Sequence, residues 1–248
     1  MHPKLANATN LYLEGIRDGN AREAVTRYTG DRYTQHSTGV RNGVEGFVEF
    51  FEPFFQRCPV RDIRIVRSIV DGPYVFVQAF QDINDGQARW VTTDLFDTDT
   101  DDKIVEHWDV ISAYETSADS SADQIGGPTE IADEASTEPN KQRVRDFLCD
   151  VMVLGRGDRF DRFVNGDALI TRKASDVAAL DELIGAYDLV FKIVGQGNTV
   201  AAYSRVLVGD AAYARFDLFR LSDGLIVEHW INQEVIPPKS EWANGGKF

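Results

Sequence analysis

The sequence predicts two tandem α+β domains, each a cone of three helices packed on a curved antiparallel sheet. Its 248 residues are about twice the usual domain length of ~100 to 150. The word IVEHW is written twice, at 104–108 and 226–230, and each copy follows an Asp-Leu-Phe triplet, 94–96 or 217–219, after seven or six residues. Such self-similarity marks a tandem duplication. In each half, helical periodicity comes first and β-type runs follow, the order of an α+β layer fold.

In the first half, Leu5, Ala8, Tyr12 and Ile16 share one helical face. Asp18-Gly19-Asn20 ends that helix, and Ala24, Val25 and Tyr28 start a second stripe. Residues 33–37 read as a short extended segment. Asn42 with Glu45 three residues on resembles a capping box, opening a third helix through Val44, Phe47, Val48 and Phe51 that Pro53 is expected to bend or end. Beyond Pro59, four β-type runs separated by Asp71-Gly72 and Asp85-Gly86 predict a meandering antiparallel sheet.

The second half repeats this programme. Thr137 is expected to cap a helix carrying Val144, Phe147, Leu148 and Val151; Gly157-Asp158 interrupts it, and Phe160, Phe163 and Val164 continue the stripe. Ser175 is expected to cap a third helix over 177–186, with strands from Tyr187. Between the halves, 116–138 is rich in Ser, Asp, Glu, Ala, Gly and Thr and reads as an acidic linker. The expected domains are therefore 1–115, active, and 139–248, degenerate. Apolar residues on both faces of the late strands predict that the two halves pair as an internal pseudo-dimer.

A net charge of -14 opposes nucleic acid and anionic membrane surfaces, and no basic run offsets it. Cys58 and Cys149 match no metal-ligand spacing and read as small, buried, reduced hydrophobes. The opening MHPKLANATN lacks an apolar signal core, and no apolar run is long enough to span a bilayer, so a cytoplasmic protein is expected.

The stretch YTQHSTGVRNGVEGF, 33–47, together with DLF and IVEHWDV across the last hairpin of the first half, resembles the SnoaL-like polyketide cyclases and ketosteroid isomerases of the nuclear transport factor 2-like superfamily. The resemblance implies a cone with an interior pocket for a small hydrophobic molecule and cofactor-independent chemistry, with no metal. It places Tyr12, His36 and Asp94 at the working positions. His36 stands where the family carries its general base, a carboxylate in the isomerases, and Tyr12 and Asp94 stand where it stabilises an oxyanion. A neutral imidazole suits proton abstraction beside a carbonyl near pH 7, and a phenol and a protonated carboxyl suit the developing enolate. Trp90 and Trp108 are expected to form apolar walls for the substrate, Trp108 by that resemblance.

Strand alternation offers a competing pair. It puts His107 and Asp109 on one face and Glu106, Trp108 and Val110 on the other, so if Trp108 faces the pocket then His107 and Asp109 do not. By alignment of the halves, Tyr12 becomes Asp150, His36 becomes Arg172 and Asp109 becomes Ile231, whereas Asp94 persists as Asp217. What both halves retain reads as scaffold, which favours a structural role for IVEHW and counts against Asp94. The expected activity is isomerisation or aldol-type cyclisation of a small hydrophobic carbonyl compound. The alternative is a non-catalytic small-molecule-binding or assembly module of the same fold. Metal chemistry on His36, His107 and Asp109 lacks a compact ligand motif.

Overall fold

The computed structural model describes residues 1–116 and 123–248. Two compact units emerge, Met1–Ala113 together with Pro237–Phe248, and Tyr114–Ile236. Each holds one five-stranded sheet with helices, an α+β fold in two tandem domains. Among the described residues no helix is long and apolar enough to cross a membrane.

In the first unit, α1 (Pro3–Asn10) runs directly into a π-helical segment, Leu11–Arg17. The wider turn brings Leu11, Tyr12, Gly15 and Ile16 all into the core. Helix α2 (Ala21–Tyr28) leads into β1 (Thr29–Gln35), and α3 (Gly43–Arg57) follows. The sheet order is β1-β5-β4-β3-β2, with β2 (Arg61–Asp71), β3 (Tyr74–Ile83), β4 (Ala88–Thr98) and β5 (Ile104–Ala113) forming the expected meander. The sheet is mixed rather than wholly antiparallel, because β1 lies parallel to β5 with Gln35 opposite His107. Helix α3 intervenes between β1 and the meander, so β1 reaches the edge of the sheet without a hairpin.

Two further expectations are corrected around α3. Pro53 does not end the helix, which continues to Arg57. The capping box does not form, since Glu45 pairs with Arg22 and the Asn42 side-chain oxygen accepts from the Gln35 amide at 2.9 Å. Asn42 thereby ties the end of β1 to the start of α3. The apolar face of α3 and the inner face of the sheet meet in a core that includes Val25, Phe47, Val75, Val77 and Phe96.

The second unit repeats the order in part. Helix α4 (Thr137–Phe147) again runs into a π-helical segment, Leu148–Val153, and the sheet order is β6-β10-β9-β8-β7, with β6 (Ile170–Arg172) parallel to β10 (Leu225–Val235). Strands β7 (Tyr187–Gln196), β8 (Thr199–Val208) and β9 (Ala211–Ser222) complete it. The third helix expected over 177–186 is absent, replaced by turns and a short 3-10 segment, Asp181–Leu183. Side chains take the backbone groups a helix would use: the Glu182 carboxylate accepts from the Ala179 amide, and Arg215 donates to the Ala178 carbonyl.

The linker expected over 116–138 lies partly outside the described residues, at 117–122. Its remainder packs on the second unit. Gln124 and Ile125 are buried, the Gly126 carbonyl accepts from the Trp230 indole, and Ala132 exchanges hydrogen bonds with Asn198. Conversely, Pro237–Phe248, read from sequence as part of the second domain, packs with the first. The cysteines are not both buried: Cys58 is half-buried, and Cys149 is exposed on the π-helical segment whose Leu148, Val151 and Met152 are buried.

Candidate functional site

Alternation along the strands decides which side chains enter the first cone. A cavity of about 340 Å³ opens between α3 and the inner face of the sheet. Its apolar wall is aromatic, supplied by Phe47, Phe50, Phe51 and Phe54 of α3 with Trp90 and Phe96 of β4. Tyr12 reaches it from the π-helical segment, Gln35 and Ser37 from β1 and the loop after it, and His107 and Asp109 from β5.

The polar groups form two connected sets. In the first, the Tyr12 hydroxyl donates to Asp94 Oδ2 at 2.7 Å, and His107 Nε2 meets Asp94 Oδ1 at 2.8 Å. His107 Nδ1 faces Gln35 Oε1 at 3.1 Å, so both ring nitrogens are engaged. Gln35 is fixed in turn by donating to the Tyr33 hydroxyl at 2.7 Å. Burial pushes the Asp94 carboxyl above the ordinary carboxylate range, against the hydrogen bond from His107. Burial, and next the neighbouring Asp94, push the Tyr12 phenol well above 10.

The second set centres on Asp109. Lys247 donates from Nζ to Asp109 Oδ1 at 2.8 Å and to the Asp109 carbonyl at 2.9 Å. Burial alone would raise this carboxyl, but the Lys247 ammonium, then His107 and the Ser37 hydroxyl, outweigh it and hold Asp109 below the ordinary range. The cavity wall thus carries an ionised carboxylate, Asp109, while a second carboxyl, Asp94, is buried behind Tyr12 and His107, to which it is hydrogen-bonded.

His36 is not part of this wall. Gln35 and Ser37 point inward, so the residue between them points out. Its ring stacks on Trp108 at 4.8 Å, with Nε2 on Glu106 Oε1 at 2.8 Å and Nδ1 on the Gly246 carbonyl at 2.7 Å. The expectation that His36 and Trp108 face the cavity is corrected by this alternation, and the competing pair, His107 and Asp109, is the one that lines it. Tyr12 lines the cavity with Asp94 hydrogen-bonded behind it, and Trp90 lines the cavity. His36 and His107 leave β1 and β5 on opposite faces, so a site joining them to Asp109 does not assemble; among the described residues no His, Cys, Asp and Glu group is clustered for a metal.

The profile of the SnoaL-like domain matches residues 10–107. The first unit carries a SnoaL-like domain. Among solved structures, similar chains include a candidate polyketide cyclase from Bacillus cereus ATCC 10987 (18% identity, covering 44% of this chain and 74% of that one, TM-score 0.40). A candidate SnoaL-like polyketide cyclase from Jannaschia sp. CCS1 matches at 21% identity over 44% of this chain and 85% of its own, TM-score 0.37. An LEH-like epoxide hydrolase from M. tuberculosis matches at 17% over 44% and 83%, TM-score 0.36. No curated protein sequence matches the chain.

The second unit repeats part of the SnoaL-like domain's polar core with a different charge balance. Tyr187 donates to Asp217 Oδ2 at 2.7 Å and His229 Nε2 meets Asp217 Oδ1 at 2.8 Å, the same trio as Tyr12, Asp94 and His107. Two residues before Asp217, where the SnoaL-like domain has Thr92, stands Arg215, which is fully buried and donates to Asp217 Oδ1 at 2.8 Å. Burial opposes ionisation of Asp217, but Arg215, then His229, overcome it and bring the carboxyl to about 2. The duplicated word has the same anatomy in both units. Its histidine holds the buried aspartate. Its glutamate and tryptophan grip an outward side chain from the parallel strand: His36 on Glu106 and Trp108, and Arg172 on Glu228 at 3.6 Å and over the Trp230 ring at 5.7 Å.

Proposed function

We propose that the SnoaL-like domain binds a small, hydrophobic carbonyl compound and moves a proton from the carbon beside its carbonyl, as in isomerisation or intramolecular aldol cyclisation. Asp109, rather than His36, is the base. Its carboxylate is ionised at neutral pH and lies on the cavity wall, whereas both nitrogens of His107 are already occupied. The carbon–hydrogen electron pair passes to the carbonyl oxygen, giving an enolate, and the proton goes to Asp109. Isomerisation returns that proton to another carbon; in cyclisation the enolate carbon attacks a second carbonyl of the same molecule, whose π-bond electrons pass to its oxygen, and that oxygen takes the proton back from Asp109.

Tyr12 and Asp94 serve the oxygen. When Asp94 carries a proton on Oδ2, it donates to the Tyr12 oxygen, and the phenol hydrogen turns to the enolate. The elevated position of the Asp94 carboxyl supports this role. In the second domain, Arg215 keeps the matching aspartate ionised and Ile231 replaces Asp109, so that domain is a non-catalytic companion. The observation carrying the proposal is the pairing of Asp109 with Tyr12 on one aromatic-walled cavity.

Solvent deuterium incorporation into a panel of ketones and β-ketoesters tests it. The wild-type chain is expected to exchange the α-proton about 10² to 10⁴ times faster than Asp109→Asn. Exchange no faster than that variant's across the panel removes the assignment.

A further inference from the structure

We propose that Lys247 is a positioning residue for Asp109 and that the site is complete only when the segment Pro237–Phe248 is seated on the first domain. This inference rests on the assignment of Asp109 as the base. The segment follows β10 of the second unit in sequence, yet it is built into the first. Four attachments hold it. The Ala243 amide donates to the Thr38 carbonyl at 2.8 Å, and the Asn244 side-chain amide donates to the carbonyls of Ser37 and Val40. The Gly246 carbonyl meets His36 Nδ1 at 2.7 Å, and Lys247 grips Asp109 through both its carboxylate and its carbonyl.

All four fall on residues 36–40 and 109, beside Ser37, which lines the cavity. The segment therefore fixes the loop after β1 and the carboxylate together. Lys247 is 3% exposed, and its contacts with the Asp109 carboxylate and carbonyl offset the cost of burying the ammonium. The groups surrounding Asp109 explain why it needs that partner. Asp94, Tyr12 and Tyr33 all act with Asp109 to disfavour further negative charge, and His107 and Ser37 stand with Lys247 in favour of it. With the ammonium withdrawn, burial is expected to prevail and Asp109 to hold its proton.

Gly246 supplies an independent handle. Its φ of +97° is left-handed, and an added Cβ would run into the Trp242 ring, so alanine there should unseat the segment while leaving Lys247 in the chain. The outward His36 then has a clear purpose: it is an anchor for the segment.

The test is titration of the full chain labelled with carboxyl-¹³C aspartate, the Asp109 resonance being identified by its loss in Asp109→Asn. The Asp109 midpoint is expected to rise by about 1 to 3 pH units in Lys247→Met and in Gly246→Ala, and to stay low in Lys247→Arg. In the same variants, the acid limb of the pH profile for ketone exchange should move with the carboxyl, a change that lost stability alone would not produce. A midpoint that stays put in either Lys247→Met or Gly246→Ala overturns the inference. The titration reads the carboxyl without turnover, so its failure is distinct from a failure of proton exchange.

Discussion

Replacing Arg215 by methionine removes the guanidinium that donates to Asp217 and leaves a fully buried carboxylate with only Tyr187 and His229 for company. The fall of Asp217 from its ordinary 3.8 to about 2 corresponds to roughly 2.4 kcal/mol of preference for the charged form in the folded state. Because the folded value lies below the unfolded one, that stability is fully present above about pH 4 and is lost as pH falls towards 2. Arg215 also donates to Gln233 at 3.0 Å and to the Ala178 carbonyl at 3.2 Å. Breaking a buried pair from one side typically costs ~3 to 5 kcal/mol, and a loss of that size is expected at pH 7. In the variant, burial dominates and the carboxyl rises above 3.8, so the gap to wild type should narrow as pH falls from 7 to 3. Urea denaturation at both pH values, with hydrogen exchange of β9 and β10 amides reporting the second domain separately, measures it. Adding Asp217→Leu should recover most of the loss. A gap below about 1 kcal/mol at pH 7, or one equally large at pH 3, would refute this account of Asp217.

Burial lowers His229 below the ordinary histidine range despite Asp217, so nitrogen NMR should find a neutral ring protonated on Nε2 at pH 7; a doubly protonated ring there would contradict the assignment. Phe47 is 2% exposed and packs on Phe51 and Tyr33 while lining the cavity, so Phe47→Ala should cost about 3 to 5 kcal/mol in chemical denaturation. A cost below about 1 kcal/mol would mean that the wall collapses to refill the space.

Much of this architecture is legible along the chain. Local periodicity locates the first helices, the meander and its turns, because those depend on neighbours a few residues apart. Alternation also puts His107 and Asp109 on one face and Trp108 on the other. It cannot choose which of those faces is inside. That choice belongs to β1, whose parallel seat beside β5 puts Gln35 next to His107 and sends His36 outward. Over 177–186 the apolar spacing suggests a helix, but Arg215, far along the sequence, claims a carbonyl there. Nor does any local signal bring Lys247 to Asp109, since the segment that carries it has no strand or long helix of its own.

That return has a consequence for biosynthesis. The ribosome releases every strand of the first cone well before it adds the lysine, which comes 138 positions after its carboxylate partner. A nascent first cone can close its sheet early, yet it must shelter a lone aspartate while the whole intervening domain is being translated. Final maturation of the amino-terminal half therefore waits for a stretch that is made only after the second domain.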